Sequence, residues 1–167
     1  MYANTCKMLP WLKAYSSVDL AGSLAEHFDI IPQVKSFEGF SFGPRLNFLV
    51  GISGAGRTRL FERMKQTSGL PILPILPPMT LGSLSYGEVV YAVGLHLLEV
   101  MPSDAALLCD DLCHMLDGDH LGELLKKMAS SGKQAIITVT PGEMERAEGV
   151  MGEANVYGCK IVMLAEK

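Results

Sequence analysis

A chain of 167 residues, 49% of them hydrophobic, is long enough to bury one sizeable core and suits one globular domain. Its formal net charge of −4 and pI of about 5.5 exclude a whole-surface attraction to nucleic acid or anionic lipid, leaving only a local basic patch for such contacts. Charged residues make up only 19%, so apolar surface is available for contacts with partners.

No apolar run reaches the length of a membrane span, and Met1 to Pro10 lacks a secretory pattern. Cys6, Cys109, Cys113 and Cys159 read as reduced thiols of a cytoplasmic protein, and the spacing of Cys109 and Cys113 is not a common zinc spacing. Ser16 and Asp19 resemble a capping box, and Leu20, Leu24 and Phe28 then fall on one helical face. Residues 1–29 are therefore predicted to be a helical extension packed on a main body, residues 30–167. Ile30 to Phe37 reads as extended chain, with Pro32 at a sheet edge. Glu38-Gly39 and Gly43-Pro44 are turn signals around Phe40-Ser41-Phe42, so a hairpin or meander leads into the apolar run Leu46 to Val50, a buried strand.

Gly51-Ile52-Ser53-Gly54-Ala55-Gly56-Arg57-Thr58 follows that strand and precedes a helix over Arg59 to Gln66. Strand, glycine loop and helix form the context of a phosphate-binding loop. Glycines let the backbone turn tightly and present N–H groups to phosphate oxygens, and the helix N-terminus adds partial positive charge. Gly51, Ser53, Gly54, Ala55, Gly56, Arg57, Thr58 and Arg59 are the candidate phosphate-binding residues. Thr58 stands where a hydroxyl reaches Mg²⁺, and Arg57 stands where a lysine is usual. A plain glycine-rich helix cap is the competing interpretation of the loop taken alone.

Pro71 to Pro78 is proline-punctuated and apolar, a semi-rigid connector rather than a helix. Leu84-Ser85-Tyr86-Gly87-Glu88 heads a helix from Val89 to Met101 that is apolar nearly all round and therefore central, with His96 packed inside it. Ala105 to Cys109 reads as a buried parallel strand ending in Asp110-Asp111. Ligands of open α/β sheets bind at that end of the strands, so two adjacent carboxylates there suit Mg²⁺ and water, with Asp111 as the cap of a following turn the competing interpretation. Leu116-Asp117-Gly118 reads as a loop, Leu121 to Met128 as a helix with one buried face closed by Gly132, and Gln134 to Thr140 as another buried strand. Glu143 to Gly149 reads as a weak helix and Lys160 to Leu164 as a final strand. The alternation predicts an α/β class with a mostly parallel core sheet.

The order of these motifs resembles the ATP-binding-cassette (ABC) ATPases, in particular their SMC/RecF-like branch. LSYGE is similar to the family's signature motif, AALLCDD to its Walker B strand, and MLD to its D-loop. KSFEGFSFGPRLNFLVG is similar to its first strands and VYGCKIVMLAEK to its last hairpin. The resemblance spans roughly Val34 to the C-terminus. It implies a P-loop NTPase fold of ABC type with an N-terminal antiparallel strand region, and an ATP-binding head with slow or conditional hydrolysis. It implies that the loop amides and Arg57 hold phosphates, that Thr58 and Asp110 organise Mg²⁺, and that Asp111 orients the attacking water. It further implies that Ser85 and Gly87 face the nucleotide of a second head, in a homodimer or a heterodimer. A role in DNA repair, recombination or chromosome maintenance follows from the analogy alone, with DNA bound only weakly or through a partner.

Three departures stand out. Arg57 replaces the lysine, Thr140-Pro141 stands where a histidine is usual, and a connector of fewer than about 20 residues replaces the helical arm. They support an alternative, a pseudo-ATPase that docks on a partner through the head fold.

Overall fold

A computed structural model describes residues 27–68, 85–156 and 158–165. The predicted N-terminal helix through Leu24, the proline-punctuated connector and Leu84 lie outside the described residues. Strand β1 is Phe28–Pro32, and a small hairpin follows, β2 (Ser36–Phe37) and β3 (Phe40–Ser41). Glu38 and Gly39 both take positive φ, 46° and 84°, the conformation that a two-residue hairpin turn of this kind requires. Next come β4 (Leu46–Val50), α1 (Arg57–Ser68), α2 (Tyr86–Val100) and β5 (Ala105–Cys109). The remainder is α3 (Leu112–Met115), α4 (Gly118–Ser130), β6 (Gln134–Val139), α5 (Pro141–Met151), α6 (Glu153–Val156) and β7 (Lys160–Met163).

The architecture is α/β: a five-stranded mixed sheet of order β1-β5-β6-β4-β7 with helices on both faces. β4, β5 and β6 are buried at every position, as mostly apolar strands in the middle of a sheet covered on both faces must be. Phe48 and Val50 point to the face covered by α2, α4 and α5, whereas Leu49 points to the face covered by α1. The chain leaves β4, reaches β5 two places away, returns to β6 between them, and crosses to β7 on the far side. β4 thus stands where the connections diverge, the place at which open α/β sheets bind ligands.

Four elements differ from their sequence reading. Phe28 belongs not to a helical face but to β1, where it pairs with Cys109, so the antiparallel register and not the helical period decides its place. Asp111 lies in the left-handed region (φ 56°, ψ 24°) and redirects the chain into α3, a four-residue helix too short to leave a periodic signal. Helix α5 is well capped rather than weak: Thr140 and Glu143 form a reciprocal capping box and Pro141 occupies its first turn. Among the described residues the C-terminal segment forms one strand and no hairpin. Val156 closes α6 and β7 joins β4 in parallel register.

Buried polar side chains tie the strand entrances together. Asn47 is fully buried; its Oδ1 accepts from Gly43 N at 2.7 Å, and its Nδ2 donates to Gly43 O, Arg45 O and Ala135 O at 3.0, 2.8 and 3.2 Å. Gln134 Oε1 accepts from Val34 N, and its Nε2 donates to Val34 O and Gly43 O. Cys109 and Cys113 are buried core thiols pushed up in pKa chiefly by burial, Cys113 to about 12, which suits packing rather than metal ligation. Among the described residues no helix is long and apolar enough to cross a membrane.

Candidate functional site

The loop after β4 turns at once. Gly51 N donates to Val139 O at 3.0 Å, which pins the loop's start to the end of β6. A Cβ on Gly51 would come within 3.1 Å of Ala55 Cβ and 3.4 Å of Leu164 Cβ, so the close approach depends on glycine. Gly54 and Gly56 take φ of 85° and 94°, a conformation that residues with a Cβ rarely adopt. Ala55 N donates to Ile52 O, and Leu60 N donates to Gly56 O as the first bond of α1. The loop therefore ends as the N-terminus of a twelve-residue helix. Gly54, Gly56, Arg57, Thr58 and Arg59 line a cavity of about 290 Å³, at the small end of ligand-sized clefts.

Beside the cavity, two residues 52 positions apart meet. Thr58 Oγ1 donates to Asp110 Oδ2 at 2.8 Å. The other carboxylate oxygen, Oδ1, accepts from Thr138 Oγ1 at 2.5 Å, and Thr138 Oγ1 in turn accepts from Asp111 N at 3.1 Å. On the backbone side Asp110 N donates to His27 O, and His27 Nδ1 lies 2.9 Å from Asp110 O. Two hydroxyls thus hold the carboxylate at the carboxyl end of β5, and His27 holds its backbone. Asp111 is exposed at the N-cap of α3, makes no side-chain cap bond, and holds a left-handed conformation of the kind that clusters at functional sites.

Arg57 lines the cavity too, but one of its guanidinium nitrogens turns to α5. Its Nη1 lies 3.8 Å from Glu143 Oε2, beyond hydrogen-bond distance, and this buried nitrogen has no hydrogen-bond partner among the described residues. Glu143 Oε2 also accepts from Thr140 N at 2.8 Å in the capping box.

Ser85 and Gly87 sit at the head of α2, on the sheet face opposite α1. Ser85 Oγ accepts from Glu88 N, and Glu88 Oε2 accepts from Ser85 N at 2.6 Å, which holds the Glu88 carboxyl below its ordinary range. A Cβ on Gly87 would come within 3.0 Å of Met115 O, so this glycine also serves close packing of α2 on α3. Arg146 from α5 donates to Cys113 O and to Leu116 O, the latter at 2.7 Å, and so holds the Met115-Leu116-Asp117 turn.

Arg57, Thr58, Arg59 and the loop glycines therefore meet in one cavity, and Asp110 is bonded to it through Thr58. Ser85 and Gly87 belong to a separate helix head. Thr138, His27 and Glu143 escaped the sequence reading. Thr138 looks like one more β-branched residue of a buried strand, and Glu143 like an ordinary cap; only a hydroxyl in a mostly apolar run hints at the first. A larger cavity of about 530 Å³, between Leu95, Leu98 and Lys133, lies at the amino end of β6. Its Lys133 donates to Leu98 O and Glu99 O, closing the end of α2, so we assign that cavity no chemistry. No protein-family model, curated protein or solved structure matches the chain.

Proposed function

We propose that the chain is an ATP-binding head of ABC type, similar to the SMC/RecF-like branch and built on a P-loop NTPase fold, that binds Mg-ATP and hydrolyses it slowly or conditionally. The observation that carries this reading is the 2.8 Å bond between Thr58 and Asp110 beside a glycine loop that opens a helix. The residues present fit the ligands. The loop offers backbone N–H groups and a helix N-terminus to an anion. Thr58 and Asp110 offer two oxygens to Mg²⁺, a metal that keeps several waters and takes the rest of its ligands from phosphates. Mg-ATP supplies the phosphoryl group and the charge that its metal neutralises. The chain's own residues would bind, orient and position: the loop amides, Arg57 and Arg59 would hold the phosphates, Thr138 aims Asp110, and the exposed Asp111 would orient water.

A second reading has its own observation. Arg57 faces Glu143 instead of standing free in the cavity, which favours a pseudo-ATPase that keeps the fold for docking on a partner. Thermal unfolding separates the two. Mg-ATP should raise the midpoint of the wild type, because a ligand that binds only the folded state stabilises it. The shift should shrink in Thr58→Ala, and no shift at millimolar Mg-ATP sinks the nucleotide reading and leaves the pseudo-ATPase.

The same proposal implies assembly. Ser85 and the head of α2 lie on the other face of the sheet from α1, so they serve a nucleotide only across an interface, in a homodimer or with another head of this kind. Light scattering should show an ATP-dependent dimer that Ser85→Arg abolishes. Ser85→Asp keeps a good N-cap but sets a carboxylate against phosphate. It should therefore also stay monomeric while folding normally. A wild type that is monomeric with and without Mg-ATP refutes self-association. DNA repair or chromosome maintenance follows only by analogy, and the isolated chain, at net charge −4, is expected to bind duplex DNA weakly.

A further inference from the structure

We propose that Glu143 is a built-in counterion of the glycine loop, competing with incoming phosphate for Arg57 and thereby setting the loop's anion affinity. The inference rests on the nucleotide-site reading above and concerns how that site is regulated. Arg57 lines the cavity, yet its Nη1 is buried, lacks a hydrogen bond among the described residues and has the Glu143 carboxylate 3.8 Å away. The side chains are 13% and 20% exposed, so water screens the pair only in part. An ion pair at that distance keeps the charge compensated but leaves the guanidinium short of an acceptor. A phosphate oxygen supplies that acceptor.

Glu143 is not a wandering surface group. The capping box fixes it: Oε2 accepts from Thr140 N at 2.8 Å and its own N donates to Thr140 Oγ1 at 3.2 Å. Thr140 follows β6 directly, two residues after Thr138, whose hydroxyl holds Asp110. One short segment, residues 138–143, therefore holds both the carboxylate that faces Thr58 and the carboxylate that faces Arg57. Phosphate that draws Arg57 away from Glu143 acts on the same segment that positions Asp110.

The test is a calorimetric titration with magnesium-free inorganic tripolyphosphate on wild type, Glu143→Gln, Arg57→Gln and the double variant. Glutamine at that position still closes a capping box, so Glu143→Gln removes the charge and keeps the fold. It should bind about tenfold more tightly than wild type at low salt, and the gain should shrink as salt is added. In the Arg57→Gln background the gain should vanish, because no guanidinium remains to compete for. Unchanged or weaker binding by Glu143→Gln overturns the proposal, and so does an equal gain without Arg57, which is plain repulsion. Both leave the nucleotide site standing. If wild type and all variants bind neither tripolyphosphate nor Mg-ATP, the nucleotide-site reading fails and the counterion role fails with it.

Discussion

Asp110→Asn should lower the affinity for Mg-ATP by about 100-fold while changing magnesium-free ATP binding little. The loss, about 2.7 kcal/mol, is the size expected when a charged ligand of a divalent cation becomes a neutral amide. Asparagine keeps the shape and can still bond the Thr58 and Thr138 hydroxyls, so the fold should survive. Thr138→Val separates position from charge. It removes the hydroxyl that accepts from Asp111 N and donates to Asp110, and should weaken Mg-ATP binding less than Asp110→Asn does. Titrations with and without Mg²⁺ check both. If Asp110→Asn destabilises the protein but leaves the magnesium dependence intact, the carboxylate is a strut between strands and not a metal ligand.

Asn47→Leu should destabilise the protein by about 3 kcal/mol. Leucine is close in size and suits a buried strand, so the change isolates hydrogen bonding from packing. It leaves the half-buried Gly43 N without the amide oxygen that accepts from it, takes a donor from Arg45 O and Ala135 O, and puts an apolar side chain where the fully buried amide bonded them. Gly43 O keeps its bond from Gln134 Nε2, and Arg45 O keeps its bond from Ala135 N. For a chain of this length the midpoint should fall by about 10 °C, measured by circular dichroism. A fall of a degree or two would show that the turn before β4 holds itself. Because β4 leads directly into the glycine loop, a loosened turn should also weaken nucleotide binding.

Much of this structure was legible in the chain because its signals are local. Leu46 to Val50, Ala105 to Cys109 and Gln134 to Val139 are mostly apolar runs of strand length, which identify central parallel strands. Gly54 and Gly56 announce positive φ, and Asp110 stands out as a charge that ends a buried run. What stayed hidden is non-local. No period in the sequence says that β6 lies between β5 and β4, and so none says that Thr138 reaches Asp110. Asn47 and Gln134 were absorbed into apolar runs, although a buried amide always requires partners and here marks the strand entrances. Glu143 was invisible as a partner of Arg57 because its local role, capping α5, already explains it. Phe28 fitted a helical face by spacing alone, and its pairing with Cys109 decided otherwise.

The direct test of nucleotide binding is a calorimetric titration of wild type and Thr58→Ala with ATP, each with Mg²⁺ and with a chelator. Thr58 contributes one hydroxyl, it sits in the first turn of α1 facing solvent, and its loss should not disturb the core. Wild type should bind one ATP per chain more tightly with Mg²⁺ than without, and Thr58→Ala should lose that magnesium-dependent gain while keeping the weaker metal-free binding. Absence of ATP binding by wild type, or a magnesium gain that is the same with and without the Thr58 hydroxyl, would contradict a nucleotide site built on the glycine loop and Asp110.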